Sequence, residues 1–468
     1  MLYRFLRAIA VIALRWYYAE IVAQGAERAP RTGPLLIVAN HPNALIDPLL
    51  VGTTLSRRVL LTAKATLFEN PALSALLHAV GVVPLRRAKD EGGSVQGVAT
   101  AERNAEAFRS VTAALRRGGT VLIFPEGISH DAPAIAPLRS GAARIALQAH
   151  SEGVRGIHLL AVGLIYEEKE RPNSDVLVRV GDPVMLDSWL EANGAENVAG
   201  LTQTLDAQLR AVTLNFATAE RAVRAVRLAH ILSALATKPA PVARPRSLDT
   251  EADLANRIDR ATTALADAPS ETIDAADELS DRLDALQREL DRKGIALEDV
   301  RISVRWKEGI RFLLREGPMI LLFAVLLILG RVAHWIPIRS ARALAMRSLR
   351  HDSSRDQPAM RTIIFGLVAL VIWYVLLFAI LDHLVGLPGA IGFLLLIFAA
   401  GHALRLGGGR LRRALRRART FLALRSDGAL QRRLIAEFDA LVAQSLSLER
   451  ALLQETPARP FQALSEGV

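Results

Sequence analysis

Val38-Ala39-Asn40-His41-Pro42-Asn43-Ala44-Leu45-Ile46-Asp47-Pro48 runs from the end of an apolar stretch, Leu35 to Ala39, into a cluster of turn formers. Consecutive apolar residues bounded by Asn-His-Pro-Asn read as a buried strand that stops at Asn40. The loop that follows sets an imidazole, His41, beside a carboxylate, Asp47. Such a pair can act as a general base, because the carboxylate fixes the ring tautomer and stabilises the imidazolium formed when a hydroxyl loses its proton. A capping aspartate and a structural loop histidine use the same residue types, and the stretch alone leaves both readings open.

Three further stretches follow in order: Gly81-Val82-Val83-Pro84-Leu85-Arg86-Arg87, Phe124-Pro125-Glu126-Gly127 and Val162-Gly163-Leu164-Ile165-Tyr166. Arg86 and Arg87 close a short apolar run, and a guanidinium pair can hold a phosphate bidentately. A solvated basic strand end is the plain alternative. Pro125 and Gly127 impose a tight turn that pushes Glu126 out where a strand ends, to bond hydroxyls or hold an arginine. Arg139 offers a second phosphate contact and Lys89 a weaker one. Ser129 reads as a turn or helix cap, and His78, His150 and His158 read as structural.

The order of these four blocks resembles the glycerolipid acyltransferases, membrane enzymes that acylate glycerol 3-phosphate or 1-acylglycerol 3-phosphate. The resemblance covers roughly Gly25 to Gly181. It implies that His41 and Asp47 are the catalytic pair, and that Arg86, Arg87, Glu126, Gly127 and Arg139 bind substrate. Arg87 ranks above Arg86 by its distance from Gly81. It further implies transfer of a fatty acyl chain from acyl-CoA or acyl-carrier protein, with a phosphorylated glycerol as acceptor. The segment Pro84 to Asp90 is similar to the branch that uses glycerol 3-phosphate or dihydroxyacetone phosphate. Two positions depart from the family pattern. Five residues separate His41 from Asp47 where four are usual, and Ala161 stands where the family usually has proline. One added residue rotates a helical position by about 100°, so the pair meets only if the loop absorbs it. The chain has no cysteine, which excludes a protein thiol nucleophile, so acyl transfer must use the acceptor's own oxygen or nitrogen. Neither metal-ligand spacing nor a nucleotide-binding glycine-rich loop stands out, and the sequence predicts no metal and no cofactor beyond the acyl donor.

The formal net charge is +11 and 51 % of the 468 residues are hydrophobic. A basic excess suits a nucleic-acid binder or an anionic membrane surface. The few aromatics cluster in apolar runs and not among the basic residues, which argues against nucleic acid and for the lipid bilayer. Residues 1–24 form an apolar helix studded with Arg4, Arg7 and Arg15 and closed by Trp16, Tyr17 and Tyr18, the pattern of an interfacial anchor with aromatics at headgroup level. An amphipathic core helix is the alternative. From 25 to 236, short apolar runs alternate with helical patterns, which predicts an α/β sheet with flanking helices. Leu201 to Ala236 reads as helix, with Arg221, Arg224 and Arg227 on a membrane-facing or solvated face.

A proline-rich linker over 237–250 leads to a predicted helical hairpin over 251–300 with leucine seams. Residues 301–406 are a membrane region: 363–381 and 389–406 read as two transmembrane helices, while 319–338, broken by Arg331, His334 and Pro337, reads as re-entrant or spanning. Residues 407–468 read as a basic amphipathic tail. Basic flanks place the catalytic domain, hairpin ends and tail on the cytoplasmic side of the cell membrane. A non-catalytic scaffold on the same fold is the alternative of another class.

Overall fold

Every residue of β2 (Leu35–Ala39) is shielded from solvent, as a strand with no polar alternation requires. Its computed structural model describes residues 2–44, 46–64, 74, 82–85, 108–194, 196–236, 247–349 and 358–453. In that structure β2 lies at the middle of a mixed sheet. The other strands are β1 (Glu20–Gln24), β3 (Val59–Lys64), β4 (Val83–Leu85), β5 (Thr120–Ile123), β6 (His158–Tyr166), β7 (Asp175–Val180) and β8 (Val184–Met185). Their order is β1-β7-β6-β2-β5-β3-β4, with β8 beside β6. The β6–β7 and β6–β8 pairs are antiparallel and the rest parallel.

Alternation along β2 sends its side chains to two cores. Leu35, Ile37 and Ala39 pack with Leu14, Tyr17 and Tyr18 from the end of α1 (Leu2–Tyr17), and with Ile46, Leu50 and Val51 of α2 (Ile46–Thr54). Leu36 and Val38 pack on the other face, with the helix over 108–116, α3 (Gly141–Ser151), α4 (Leu186–Asn193) and α5 (Val198–Val212). The α5 helix crosses β6 so closely that a Cβ on Gly163 would meet the Val212 carbonyl at 1.9 Å.

The predicted anchor helix has two faces. Leu14, Tyr17 and Tyr18 are buried, whereas Leu2, Phe5, Ile12 and Trp16 are exposed. The two tyrosines therefore serve the core and not the headgroup level read from the sequence. Arg7 donates to the carbonyls of Gly52, Thr53 and Leu55, placing a cation at the carboxyl end of α2 as the helix dipole favours.

Contacts group the chain into two units, Met1–Asn215 with Ala341–Leu367, and Phe216–Ser340 with Val368–Val468. The helix read over Leu201 to Ala236 is interrupted after Val212, and its second half, α6 (Ala219–Ala236), belongs to the second unit. There Arg221 pairs with Asp259 and Arg227 with Asp284, so these two face acidic helices, whereas Arg224 is exposed as a solvated face requires. The pair α7 (Leu248–Ala264) and α8 (Ser270–Lys293) contains the predicted seams. Leu279, Leu283, Leu286 and Leu290 are all buried. Helix α7 packs on α6, and α8 on α12 (Gly428–Leu453).

Helix α9 (Trp306–Ala333) bends by 46° at His334 into α10 (Trp335–Leu349). In α11 (Pro358–Ser426), Thr362–Ala403 is long and apolar enough to cross a membrane, and the helix is interrupted at Gly386, whose φ is 74°. The His334 ring bonds the Tyr374 hydroxyl at 2.9 Å and lies 2.7 Å from a Cβ position on Gly401. A straight helix would hold Tyr374 and Gly401 about 40 Å apart. The apolar segment therefore folds back at Gly386, leaving two arms of roughly 25–35 Å, close to the hydrocarbon thickness of a bilayer. Of the linker predicted over 237–250, residues 237–246 lie outside the described residues, and Leu248 to Thr250 already form the first turn of α7. The helix read at 71–80 also lies outside the described residues, apart from Ser74.

Candidate active site

Two loops at the carboxyl ends of β2 and β5 meet because Val38 lies opposite Ile123 in a parallel ladder. Three residues beyond each, His41 and Glu126 come together across 85 positions of sequence. On the other side of β2, Ala39 lies opposite Val162 of β6. The Asn40 side chain continues that ladder, accepting from Leu164 N–H at 2.7 Å and donating to its carbonyl at 3.0 Å.

His41 Nδ1 is 2.8 Å from Oδ2 of Asp47, whose side chain is wholly buried. A carboxylate only accepts, so the ring hydrogen is on Nδ1 and the lone pair on Nε2. Nε2 has no hydrogen-bond partner among the described residues, and 13 % of the His41 side chain is accessible. The ring stacks on Phe124 with centroids 3.9 Å apart and planes 14° from parallel. Its plane is thereby fixed on one side by an aromatic face and at one edge by a carboxylate.

The longer His-to-Asp spacer is taken up in the turn. Ala44 has a φ of 34°, a region that L-residues rarely visit. Its N–H donates to Ser129 Oγ at 3.2 Å, and the Asn43 N–H donates to Asp47 Oδ2 at 2.7 Å. Ser129, read as a local cap, thus reaches across to the other loop. Asp47 keeps its place in the first turn of α2.

A third donor completes Asp47. The Tyr166 hydroxyl, at the end of β6, donates to Oδ1 at 2.5 Å. Burial first, and then the Asp47 charge, pushes this phenol well above the ordinary tyrosine range. Tyr18 is raised in the same way, by burial first. Both therefore stay protonated at neutral pH. The loop between β6 and β7 closes over the same turn: Lys169 Nζ donates to the Pro42 carbonyl at 2.8 Å and pairs with Asp131.

Glu126 does not reach outward. It is buried, accepting the His41 backbone N–H at 2.9 Å on Oε1. Oε2 accepts the Ala136 N–H at 2.7 Å and the His130 ring at 2.5 Å. The outward reach to hydroxyls, or to an arginine, expected from the tight turn is replaced by an inward brace. The turn itself is as read: Gly127 has a φ of 75°, and a Cβ there would lie 2.8 Å from Nε of Arg139. Arg139 is exposed and lies across Gly127, its N–H bonded to the Pro125 carbonyl at 2.9 Å. Arg86, Arg87 and Lys89 lie outside the described residues.

Residues 20–165 match the family model named Acyltransferase. The chain carries a domain of the acyltransferase family. Its matched span begins at β1 and ends one residue before Tyr166. An uncharacterised acyltransferase of Schizosaccharomyces pombe is 24 % identical over 259 residues, covering 38 % of each chain. Glycerol-3-phosphate O-acyltransferase 2 of Saccharomyces cerevisiae is 32 % identical over 117 residues, 24 % of this chain and 16 % of that one. A 1-acyl-sn-glycerol-3-phosphate acyltransferase of Borreliella burgdorferi is 27 % identical over 143 residues, 31 % of this chain and 52 % of that one. The match thus spans between 16 % and 52 % of these curated relatives. The crystal structure of the 1-acyl-sn-glycerophosphate acyltransferase PlsC from Thermotoga maritima aligns with a TM-score of 0.31 at 20 % identity, covering 42 % of this chain and 79 % of that one.

Within the acyltransferase domain, the structure brings His41, Asp47, Glu126 and Gly127 to adjoining strand ends and sets Arg139 over Gly127. Sequence reasoning missed the supporting residues Tyr166, Asn43, Lys169 and His130. Tyr166 closes the fourth block and His130 follows the third, but nothing local marks either as a partner of a distant carboxylate. Among the described residues, no cluster of three or more His, Asp or Glu side chains is placed to hold a metal ion.

Proposed function

We propose that this protein is a membrane-bound glycerolipid O-acyltransferase, moving a fatty acyl chain from acyl-CoA or acyl-carrier protein to glycerol 3-phosphate or a related phosphorylated glycerol. The observation that carries the reading is the 2.8 Å contact between His41 Nδ1 and the fully buried Asp47, which leaves the basic Nε2 at the accessible edge of the ring. Nε2 accepts the proton of the acceptor hydroxyl as its oxygen attacks the thioester carbonyl. Asp47 stabilises the imidazolium, and collapse of the tetrahedral intermediate expels the thiolate, which takes the proton back. Arg87 with Arg86 holds the acceptor phosphate, and Arg139 adds a second phosphate contact beside the Gly127 turn. The segment Pro84 to Asp90 favours glycerol 3-phosphate, and the likeness to a yeast glycerol-3-phosphate acyltransferase agrees. The exposed apolar face of α1 and the apolar arms of α11 support a bilayer location, and the basic flanks support a cytoplasmic catalytic domain.

The test is purified protein in lipid with radiolabelled acyl-CoA or acyl-carrier protein and either glycerol 3-phosphate or its 1-acyl form. His41→Ala is expected to lower turnover about 10²–10⁴-fold. An unchanged rate would remove His41 as the base. Turnover with the 1-acyl acceptor alone would reassign the substrate.

A further inference from the structure

Among the described residues, the backbone N–H and carbonyl of His41 are both held by the loop after β5, and that loop is bonded to a second imidazole. Glu126 receives the His41 N–H on one oxygen, and His130 Nε2 meets the other oxygen at 2.5 Å. The Ala132 N–H donates to His130 Nδ1 at 3.1 Å. Nδ1 must therefore offer a lone pair, which leaves the hydrogen on Nε2, pointing at Glu126. The His130 backbone N–H also donates to the His41 carbonyl at 3.3 Å. Both polar atoms of the His41 peptide are thus tied to one short segment, and Ser129 ties Ala44 to it as well.

We infer that His130 is a positioning residue for His41, acting through the Glu126 carboxylate and not by contact with the acceptor. The Glu126 side chain is 1 % accessible, so a missing donor there is not readily replaced by bulk water. A buried carboxylate that loses one of its three donors must turn or recruit a water. Because Oε1 holds the His41 N–H, either adjustment shifts the peptide that carries the base. A displacement of about 1 Å at a catalytic group costs on the order of 10²-fold in rate. His41 is thus supported twice by carboxylates, through its ring by Asp47 and through its backbone by Glu126.

This inference rests on the acyltransferase reading for its kinetic part, so the experiment carries a readout that needs no turnover. His130→Ala and His130→Gln are compared with wild type in lipid. The glutamine amide reaches about as far as Nε2 and restores a donor to Glu126. Expected for His130→Ala is a kcat about 10–100-fold lower at nearly constant KM, with His130→Gln recovering most of it. In parallel, diethyl pyrocarbonate modification of His41, followed by peptide mass spectrometry, should be severalfold faster in His130→Ala and near wild type in His130→Gln. Should the alanine variant fail to fold, the glutamine variant decides: recovery of both readouts supports the brace. Wild-type kcat and His41 reactivity in His130→Ala would overturn the inference. Equal inactivity of both variants with unchanged His41 reactivity would also overturn it, since His130 would then act directly on substrate. Faster His41 modification in His130→Ala, with no acyl transfer by wild type, would uphold the brace and reject the acyltransferase reading.

Discussion

Asp47→Asn separates the two services of the buried carboxylate, orientation and charge. His41 Nδ1–H and the Asn43 N–H converge on Oδ2, while among the described residues the Tyr166 hydroxyl alone meets Oδ1. A backbone N–H cannot turn into an acceptor but a hydroxyl can. The amide oxygen must therefore occupy the Oδ2 position, with its NH2 facing a reoriented Tyr166. His41 keeps its hydrogen on Nδ1, and only the charge opposite the imidazolium is lost. Replacing a charge-assisted bond by a neutral one costs about 1–2 kcal/mol. The lost attraction at ~4 Å and an effective dielectric of 20 sets an upper limit of about 4 kcal/mol. A loss of ~2–4 kcal/mol corresponds to roughly 30–1000-fold in rate. The same change in serine hydrolase triads costs about 10⁴-fold through the wrong tautomer, so the expectation here is milder. Initial rates of labelled acyl transfer for Asp47→Asn, Asp47→Ala and His41→Ala provide the assay. Asp47→Ala should be slower than Asp47→Asn, because it also frees the ring. An asparagine variant no faster than the alanine variant, or one equal to wild type, would refute the reasoning.

Tyr166→Phe removes one donor from Asp47 while keeping the ring that packs 5.9 Å from Tyr18. A bond to a charged group is worth about 1.5–3 kcal/mol, so the melting temperature should fall by roughly 3–10 °C, as followed by circular dichroism. Gly163→Ala places a methyl 1.9 Å from the Val212 carbonyl, and α5 must move to admit it. A loss of about 3 kcal/mol or more should appear as a lower denaturation midpoint. Asp299 is pushed up to about 6 by burial, against the opposing pull of Arg417. Between about pH 4 and 6 the folded protein holds a proton that the unfolded chain has released, so this group makes stability fall as pH rises, by up to roughly 3 kcal/mol. Melting temperatures from pH 4 to 7 should show that decline in wild type and a flatter profile in Asp299→Asn.

Local chemistry made much of this protein legible from its sequence. Five apolar residues at 35–39 bounded by turn formers read as a strand buried on both faces, and proline and glycine around Glu126 read as a turn. The order of the four blocks carried the acyltransferase resemblance, which the family match to residues 20–165 bears out. Apolar length likewise marked the two segments 363–381 and 389–406, and the helix is interrupted in the gap between them, at Gly386. What the sequence could not express is who stands opposite whom. The placing of β5 beside β2, and of β6 on its other side, aims Glu126 inward at the His41 peptide and Tyr166 at Asp47. Strand register is a non-local quantity set by how two cores fill, and no spacing within one loop encodes it. The same holds for Arg221 and Arg227. A row of arginines one turn apart looks alike in front of lipid, water or an acidic helix, and only packing against α7 and α8 decided among them.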